Sequence, residues 1–309
     1  MKRMLTAALA AAALLLAGGC GDDGDTSATT TTAPSAAASY PVTVGDLTLD
    51  ARPEKIVSLT PSATEMLFAI GAGPQVTAVD DQSTYPAEAP KTDLSGFKPN
   101  AEAIAAKDPD LVVLSDDIDK IVSQLRTLKI PVFVTPAAKT LDETYQQIEQ
   151  LGALTGHGSE AGAVTTQMAN DIKKIVADVP KRTTPLSYYY ELDPTFYTVT
   201  SKTFIGEVFS LFGMTNIADP ADADGAKGGY PQLSQEAIVK ANPDMIFLAD
   251  SKCCQQSAAS VTKRTGWSTI AAVKSGQIVA LDDDIASRWG PRTVDLVRSV
   301  ADAVAKVPA

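Results

Sequence analysis

AEAIAAKDPDLVVL (residues 101–114) is matched by QEAIVKANPDMIFL (residues 235–248). Glu, Ala, Ile, Pro and Asp recur in step: 102 and 236, 109 and 243, 110 and 244, each pair 134 positions apart. Each stretch reads as a short helix stopped before a proline, because proline has no N–H and restricts the residue preceding it. Each then runs into four consecutive apolar residues, LVVL or MIFL. Unbroken apolar runs of that length mark strands covered on both faces, the usual situation in a parallel sheet. A helix-to-strand passage written twice in one chain is an imperfect duplication, and it predicts two similar lobes.

The flanking sequence carries the same grammar. A chain of 309 residues exceeds one small core and suggests about two domains. KIVSLTP (55–61), QVTAVD (75–80), DLVVLSD (110–116) and PVFVTP (131–136) read as strands. They alternate with helical patterns at 62–73 and 119–130. PLSYYYEL (185–192), TNIAD (215–219), the repeated strand and QIVALD (277–282) follow as strands, with helical patterns at 200–214, 266–276 and 291–307. Alternation of this kind gives an α/β fold with central parallel sheets. Between the two sets, 141–156 reads as a helix, and SEAGAVTTQMANDIKKIVADVP (159–180) as a longer one with Ser159 at its N-cap. The expected organisation is an N-terminal α/β lobe (40–158), a single long inter-lobe helix (159–180) and a C-terminal α/β lobe (181–309). The ligand cleft lies between the lobes, and one stiff helix joining them restricts their relative motion.

The first 39 residues are of a different character. Lys2 and Arg3 precede an apolar run at 4–17, too short to span a bilayer but suited to a signal peptide, which covers 1–19. The run ends in AGGC and resembles the lipobox of bacterial lipoproteins, with Cys20 as the lipidated residue and Ala17 where Leu is more usual. Residues 21–39 contain no aromatic or large aliphatic side chain. Such a segment buries too little apolar area to order itself, so it reads as a tether. The protein is expected outside the cytoplasm, held at the cell membrane by its lipid.

Charge and composition exclude several classes. The formal net charge of −11 argues against nucleic acid, whose phosphates need a basic surface. A single histidine, His157, makes a His-based metal site improbable on sequence grounds. No phosphate-binding loop, nucleophile elbow or Cys–His pair is present, so no cofactor and no catalytic residue is assigned. The alternative class, a surface-anchored two-lobed enzyme acting on a cofactor-like metabolite, would need such a constellation.

Several blocks together carry a family resemblance: KIVSLTPSATEMLFAIG, the YPAEAP loop at 85–90, the two repeated blocks, and GWSTIAAVKSGQIVALDDDIASRWGPR. From about residue 52 onward the chain resembles the helical-backbone substrate-binding proteins of bacterial ABC importers. These take up cobalamin, ferric siderophores and haem, and the match is nearest to the B12-binding members. The resemblance implies a monomer that captures a corrinoid or ferric chelate and delivers it to a permease dimer. It implies that Glu102 and Glu236, one on each lobe, dock into permease arginines. Either glutamate alone also fits a simpler role, since a carboxylate in a helix's first turn is stabilised by the helix dipole. On the ligand side it points to Tyr85, Phe97, Phe196 and Tyr230, flat rings that suit a macrocycle. Tyr230 stands where the B12-binding members carry Trp. Asp284 and Arg288 match ligand-side positions, with Trp289 beside them, and Arg292 reads as structural. Ser62 has two open readings: contact with an anionic ligand group, or a capping box with Glu65. Cys253 and Cys254 are a possible disulfide in an oxidising compartment. Scarce histidine weighs against haem and scarce arginine against catecholate chelates, leaving a preference for a corrinoid.

Overall fold

A computed structural model of the chain describes residues 39–308. Cys20, the signal peptide and nearly all of the tether lie outside the described residues. The described part begins with an antiparallel hairpin, β1 (Val42–Val44) and β2 (Leu47–Leu49). Then come β3 (Ile56–Ser58), α1 (Pro61–Ala69), β4 (Val76–Val79), α2 (Ala101–Ala105), β5 (Leu111–Leu114), α3 (Ile121–Thr127) and β6 (Val132–Val134). Two helices follow, α4 (Leu141–Thr155) and α5 (Gly158–Asp178). The second half runs β7 (Ser187–Glu191), α6 (Phe204–Ser210), β8 (Thr215–Asn216), α7 (Gln235–Ala241), β9 (Met245–Leu248), α8 (Ala258–Val261), α9 (Ala271–Ser275), β10 (Ile278–Ala280), α10 (Asp283–Ala286) and α11 (Thr293–Lys306).

Two parallel sheets organise two lobes, with strand orders β4-β3-β5-β6 and β10-β9-β7-β8. Counted from the first strand of each, both read second, first, third, fourth. The duplicated passage is therefore α2–β5 in one lobe and α7–β9 in the other, and both place the third strand against the first. Both third strands are buried throughout, and their side chains alternate between faces. Leu111 and Val113 join one core layer while Val112 and Leu114 join the other; Met245 and Phe247 divide from Ile246 and Leu248 in the same way. The repeated aspartates also share a task. Asp110 Oδ2 accepts from the amides of Glu54 (2.9 Å) and Lys55 (3.0 Å), at the entry to β3. Asp244 Oδ2 accepts from the amide (2.8 Å) and hydroxyl (2.7 Å) of Ser187, the first residue of β7.

Helix α5 couples the lobes through one stripe. Ala161, Thr165, Met168, Ile172 and Ile175 are buried, the spacing of one helix face. Ala161 and Met168 belong to the N-terminal core, Ile172 and Ile175 to the C-terminal one. At ~1.5 Å per residue, its 21 residues are about 30 Å long.

Local differences from the sequence expectations have local causes. Helix α1 starts at Pro61 with Thr60 at the N-cap and no side-chain cap, so Ser62 and Glu65 do not form a capping box. Proline at the first position lacks an N–H and leaves one fewer donor to satisfy, and both side chains turn inward instead. Ser159 is not the N-cap of α5, because that helix begins a residue earlier, after His157. The 119–130 pattern divides into a short 3₁₀ turn, Ile118–Lys120, and α3, because Asp119 and Lys120 take left-handed backbone conformations. The 200–214 pattern starts only at Phe204, where Thr203 caps the helix by accepting from the Gly206 amide (3.0 Å).

Candidate functional site

In parallel α/β sheets, ligand-binding loops leave the carboxyl ends of the strands. Every residue proposed from the sequence to face a ligand lies in such a connection. Ser62 follows β3, Tyr85 and Phe97 follow β4, Phe196 follows β7, Tyr230 follows β8, and Asp284, Arg288 and Trp289 follow β10.

Between the lobes these loops build an ionic clasp. Glu65 is buried, its side chain 1% exposed. Arg292 grips it with two donors, Nε to Oε2 (2.9 Å) and Nη2 to Oε1 (2.6 Å). Arg288 donates from Nη1 to Glu65 Oε1 (3.1 Å) and from Nη2 to the Gln82 carbonyl (3.0 Å) and Asp284 Oδ1 (3.0 Å). Lys252 extends the chain of charges, donating to Asp284 Oδ2 (3.1 Å) and Asp282 Oδ1 (2.7 Å). Below the clasp, the Trp289 amide donates to Ser62 Oγ (3.3 Å) and the Trp289 indole N–H donates to Gln147 Oε1 (3.1 Å). Trp289 packs against both lobe cores, at their seam. Ser62, Arg288 and Trp289 are thus held by the protein's own groups, while Asp284 remains partly open.

The aromatic residues separate into two sets. Phe97 (73% exposed), Tyr85 (46%) and Tyr230 (46%) stand out from the surface, together with Tyr197 (43%), which no sequence pattern marks. Tyr85 lies under the Arg292 guanidinium, 4.2 Å from ring centre to Cζ, a cation–π contact. Phe196 is engaged elsewhere: its ring lies 5.9 Å from that of Trp267, and Arg264 sits 5.5 Å above it. A cavity of about 690 Å³ beside the clasp takes in Tyr85, Glu88, Met168 and Arg292, but not Phe97, Phe196 or Tyr230.

A second charged group lies at the carboxyl ends of β7 and β9. Glu191, fully buried, accepts from Arg264 Nη1 and Nη2, each at 2.6 Å. Arg264 also lies over the Trp267 ring at 4.5 Å. Asp250, just past β9, is fully buried, and neither carboxylate oxygen has a hydrogen-bond donor among the described residues. Burial first, and the neighbouring Glu191 second, push its pKa up to about 7. A protonated Asp250 donating to Glu191 accounts for both. This group was hidden in the sequence because its members come from three separate segments. Cys253 and Cys254 follow directly and are joined as a disulfide. His157 sits away from these loops, its Nε2 2.9 Å from both Gln75 Oε1 and Arg52 Nη2. Burial and the Arg52 charge lower its pKa.

Glu102 and Glu236 are exposed and lie in the first turns of α2 and α7. Asn100 Oδ1 accepts from the Ala103 amide (2.9 Å) and Ser234 Oγ from the Ala237 amide (3.1 Å), so the two helix starts are capped alike.

The family described as periplasmic binding protein matches residues 56–285. The chain is 34% identical over 280 residues to an uncharacterised ABC transporter substrate-binding lipoprotein, YvrC, of Bacillus subtilis, covering 86% of each chain. It is 33% identical over 281 residues to a cobalamin-binding protein of Halobacterium salinarum, covering 86% of this chain and 75% of that one. Among solved structures, the periplasmic vitamin B12-binding protein BtuF of Vibrio cholerae superposes with a TM-score of 0.67 at 29% identity, over 82% of this chain and 96% of that one.

Proposed function

The chain belongs to the periplasmic binding protein family, and from that premise we propose that it binds a corrinoid in the cleft between its lobes and delivers it to an ABC permease. It is a binding protein and not an enzyme, the substrate-binding component of an importer. The observation that carries the ligand class is the pairing of open aromatic rings with engaged arginines. Tyr85 and Phe97 from one lobe and Tyr230 from the other offer flat apolar area, which suits a large, weakly charged macrocycle. Arg288 and Arg292 are both tied to Glu65, so neither is free to meet the carboxylates of a haem or the charge of a catecholate chelate. His157, held by Gln75 and Arg52, is in no position to serve as a haem ligand beside those rings. The relatives named for cobalamin and vitamin B12 support the same class.

The remaining assignments follow from this reading. Tyr85, Phe97, Tyr230 and Asp284 contact the ligand, while Ser62, Arg288 and Trp289 hold the cleft floor and Phe196 braces the C-terminal lobe. Cys20 carries the lipid, residues 21–39 tether the monomer to the outer face of the cell membrane, and Glu102 and Glu236 dock on a permease dimer. Helix α5, packed into both cores, keeps the hinge motion small. Titration of purified protein with cyanocobalamin, hemin and a ferric siderophore, followed by intrinsic tyrosine and tryptophan fluorescence, tests the ligand class. Saturable one-to-one binding of unaltered cyanocobalamin is expected. Binding of hemin or the siderophore without cyanocobalamin overturns it.

A further inference from the structure

We propose that the Cys253–Cys254 disulfide is a ligand-contact element of the cleft, an uncharged sulfur platform against which one face of the ligand rests. The inference rests on the reading that the loops at the carboxyl ends of the strands form the ligand site. DSKCCQQ (250–256) leaves β9, the third strand of its sheet, beside the end of β7, the first. The second strand lies on the other side of the first, so connections leave in opposite directions at this point. Crevices of that kind are where α/β sheets take ligands.

Backbone amides of the loop are held by the protein's own acceptors. Asp283 accepts from three successive amides, Ser251, Lys252 and Cys253, each at 2.9 Å, and from the Ser251 hydroxyl at 2.8 Å. The Asp250 carbonyl accepts from the Cys254 (3.2 Å) and Gln256 (3.3 Å) amides, and Gln256 Oε1 accepts from Arg264 Nη2 (2.7 Å). Cys253 is exposed and Cys254 half-buried. Lys252 turns aside to Asp282 and Asp284, and Asp284 is the residue that reaches Arg288 and, through it, Glu65 of the other lobe. The sulfurs therefore sit one residue from the chain of charges that crosses between the lobes. A disulfide between adjacent residues explains little as a stabiliser, because the chain-entropy gain grows with the length of the loop closed, and this loop is the shortest there is. What the bond does supply is a surface with no charge and no strong donor, polarisable like other divalent sulfur. It also fixes the bearing of Cys253, whose amide Asp283 already holds.

Two measurements on the full chain test this. The first compares oxidised wild type with the Cys253→Ser/Cys254→Ser double variant by calorimetric titration with cyanocobalamin, and with hemin and a ferric siderophore as further probes. The variant is expected to bind about tenfold more weakly, the scale of losing one buried apolar contact. The second needs no variant: reduction of the wild-type disulfide by dithiothreitol, followed by mass after alkylation, with and without saturating ligand. Bound ligand is expected to slow reduction at least about tenfold by covering the sulfurs. Unchanged affinity in a folded variant, or a reduction rate that ligand does not alter, overturns the platform and leaves the cleft reading standing. If no probe binds oxidised wild type, the cleft reading itself fails, and this inference with it.

Discussion

Glu65 and Arg292, 227 residues apart and in different lobes, meet through two hydrogen bonds of 2.9 and 2.6 Å. Arg288 approaches the same carboxylate at 3.1 Å. The group carries one buried negative charge between two largely covered positive ones, with Asp284 balancing the second. Removing one partner of such a cluster strands the others away from water. Glu65→Gln keeps the shape but not the charge and leaves two guanidiniums facing one amide. Urea unfolding is expected to show a loss of about 3 kcal/mol, the usual scale for breaking a buried pair. A loss below about 1 kcal/mol would mean that water screens the clasp.

The duplicated aspartates offer a graded comparison. Asp110 and Asp244 each accept two hydrogen bonds at the entry to the first strand of their own sheet. Asp110 does so in the open and Asp244 where it is partly covered. An unmade hydrogen bond costs more where water cannot replace it. Asp110→Ala is therefore expected to cost about 1 kcal/mol and Asp244→Ala about 2 kcal/mol. The reverse order in chemical denaturation would show that exposure does not set the difference.

Much of this architecture was legible because it was written twice. LVVL and MIFL, each preceded by Pro-Asp, identify the two third strands, and these lie at equivalent places in sheets of identical order. The aromatic loop residues were legible as types: Tyr85, Phe97 and Tyr230 are exposed in the connections that follow β4 and β8. Partnerships were not legible. Ser62 and Glu65 have the spacing of a capping box, and only the fold brings Arg288 and Arg292 to that carboxylate from the far end of the chain. Phe196 looks like its aromatic counterparts until Trp267 and Arg264 enclose its ring. The β1–β2 hairpin went unanticipated because three-residue strands carry too short an alternation to stand out.

Asp250 gives the protein a distinctive dependence on pH. Its pKa rises from an ordinary 3.8 to about 7, through burial and then through Glu191, with Arg264 acting in the opposite sense. The folded state therefore keeps a proton that the unfolded chain releases near pH 4. This contribution to stability is complete below about pH 4, declines as pH rises and is gone above about 7. Asp250→Asn holds the neutral form at every pH and flattens that decline. Between pH 5 and pH 8, wild type is expected to lose at least about 1 kcal/mol more than the variant in urea unfolding. Parallel pH profiles would exclude a shared proton between Asp250 and Glu191.

Glu102 and Glu236 raise the question of what an exposed carboxylate does when folding does not require it. Each lies in the first turn of a short, already capped helix, with no ion pair among the described residues. A first-turn carboxylate contributes some tenths of a kcal/mol through the helix dipole. Glu102→Lys and Glu236→Lys should each change stability by less than about 1 kcal/mol and leave the aromatic loops untouched. If the pair serves docking, the double reversal is expected to abolish permease-dependent uptake of cyanocobalamin into vesicles while its affinity in solution stays within about twofold. Each single reversal is expected to lower uptake, since one lobe alone would still engage. Uptake that survives the double reversal assigns both residues to their helices and removes them from the permease interface. Loss of affinity in solution places them in the cleft instead.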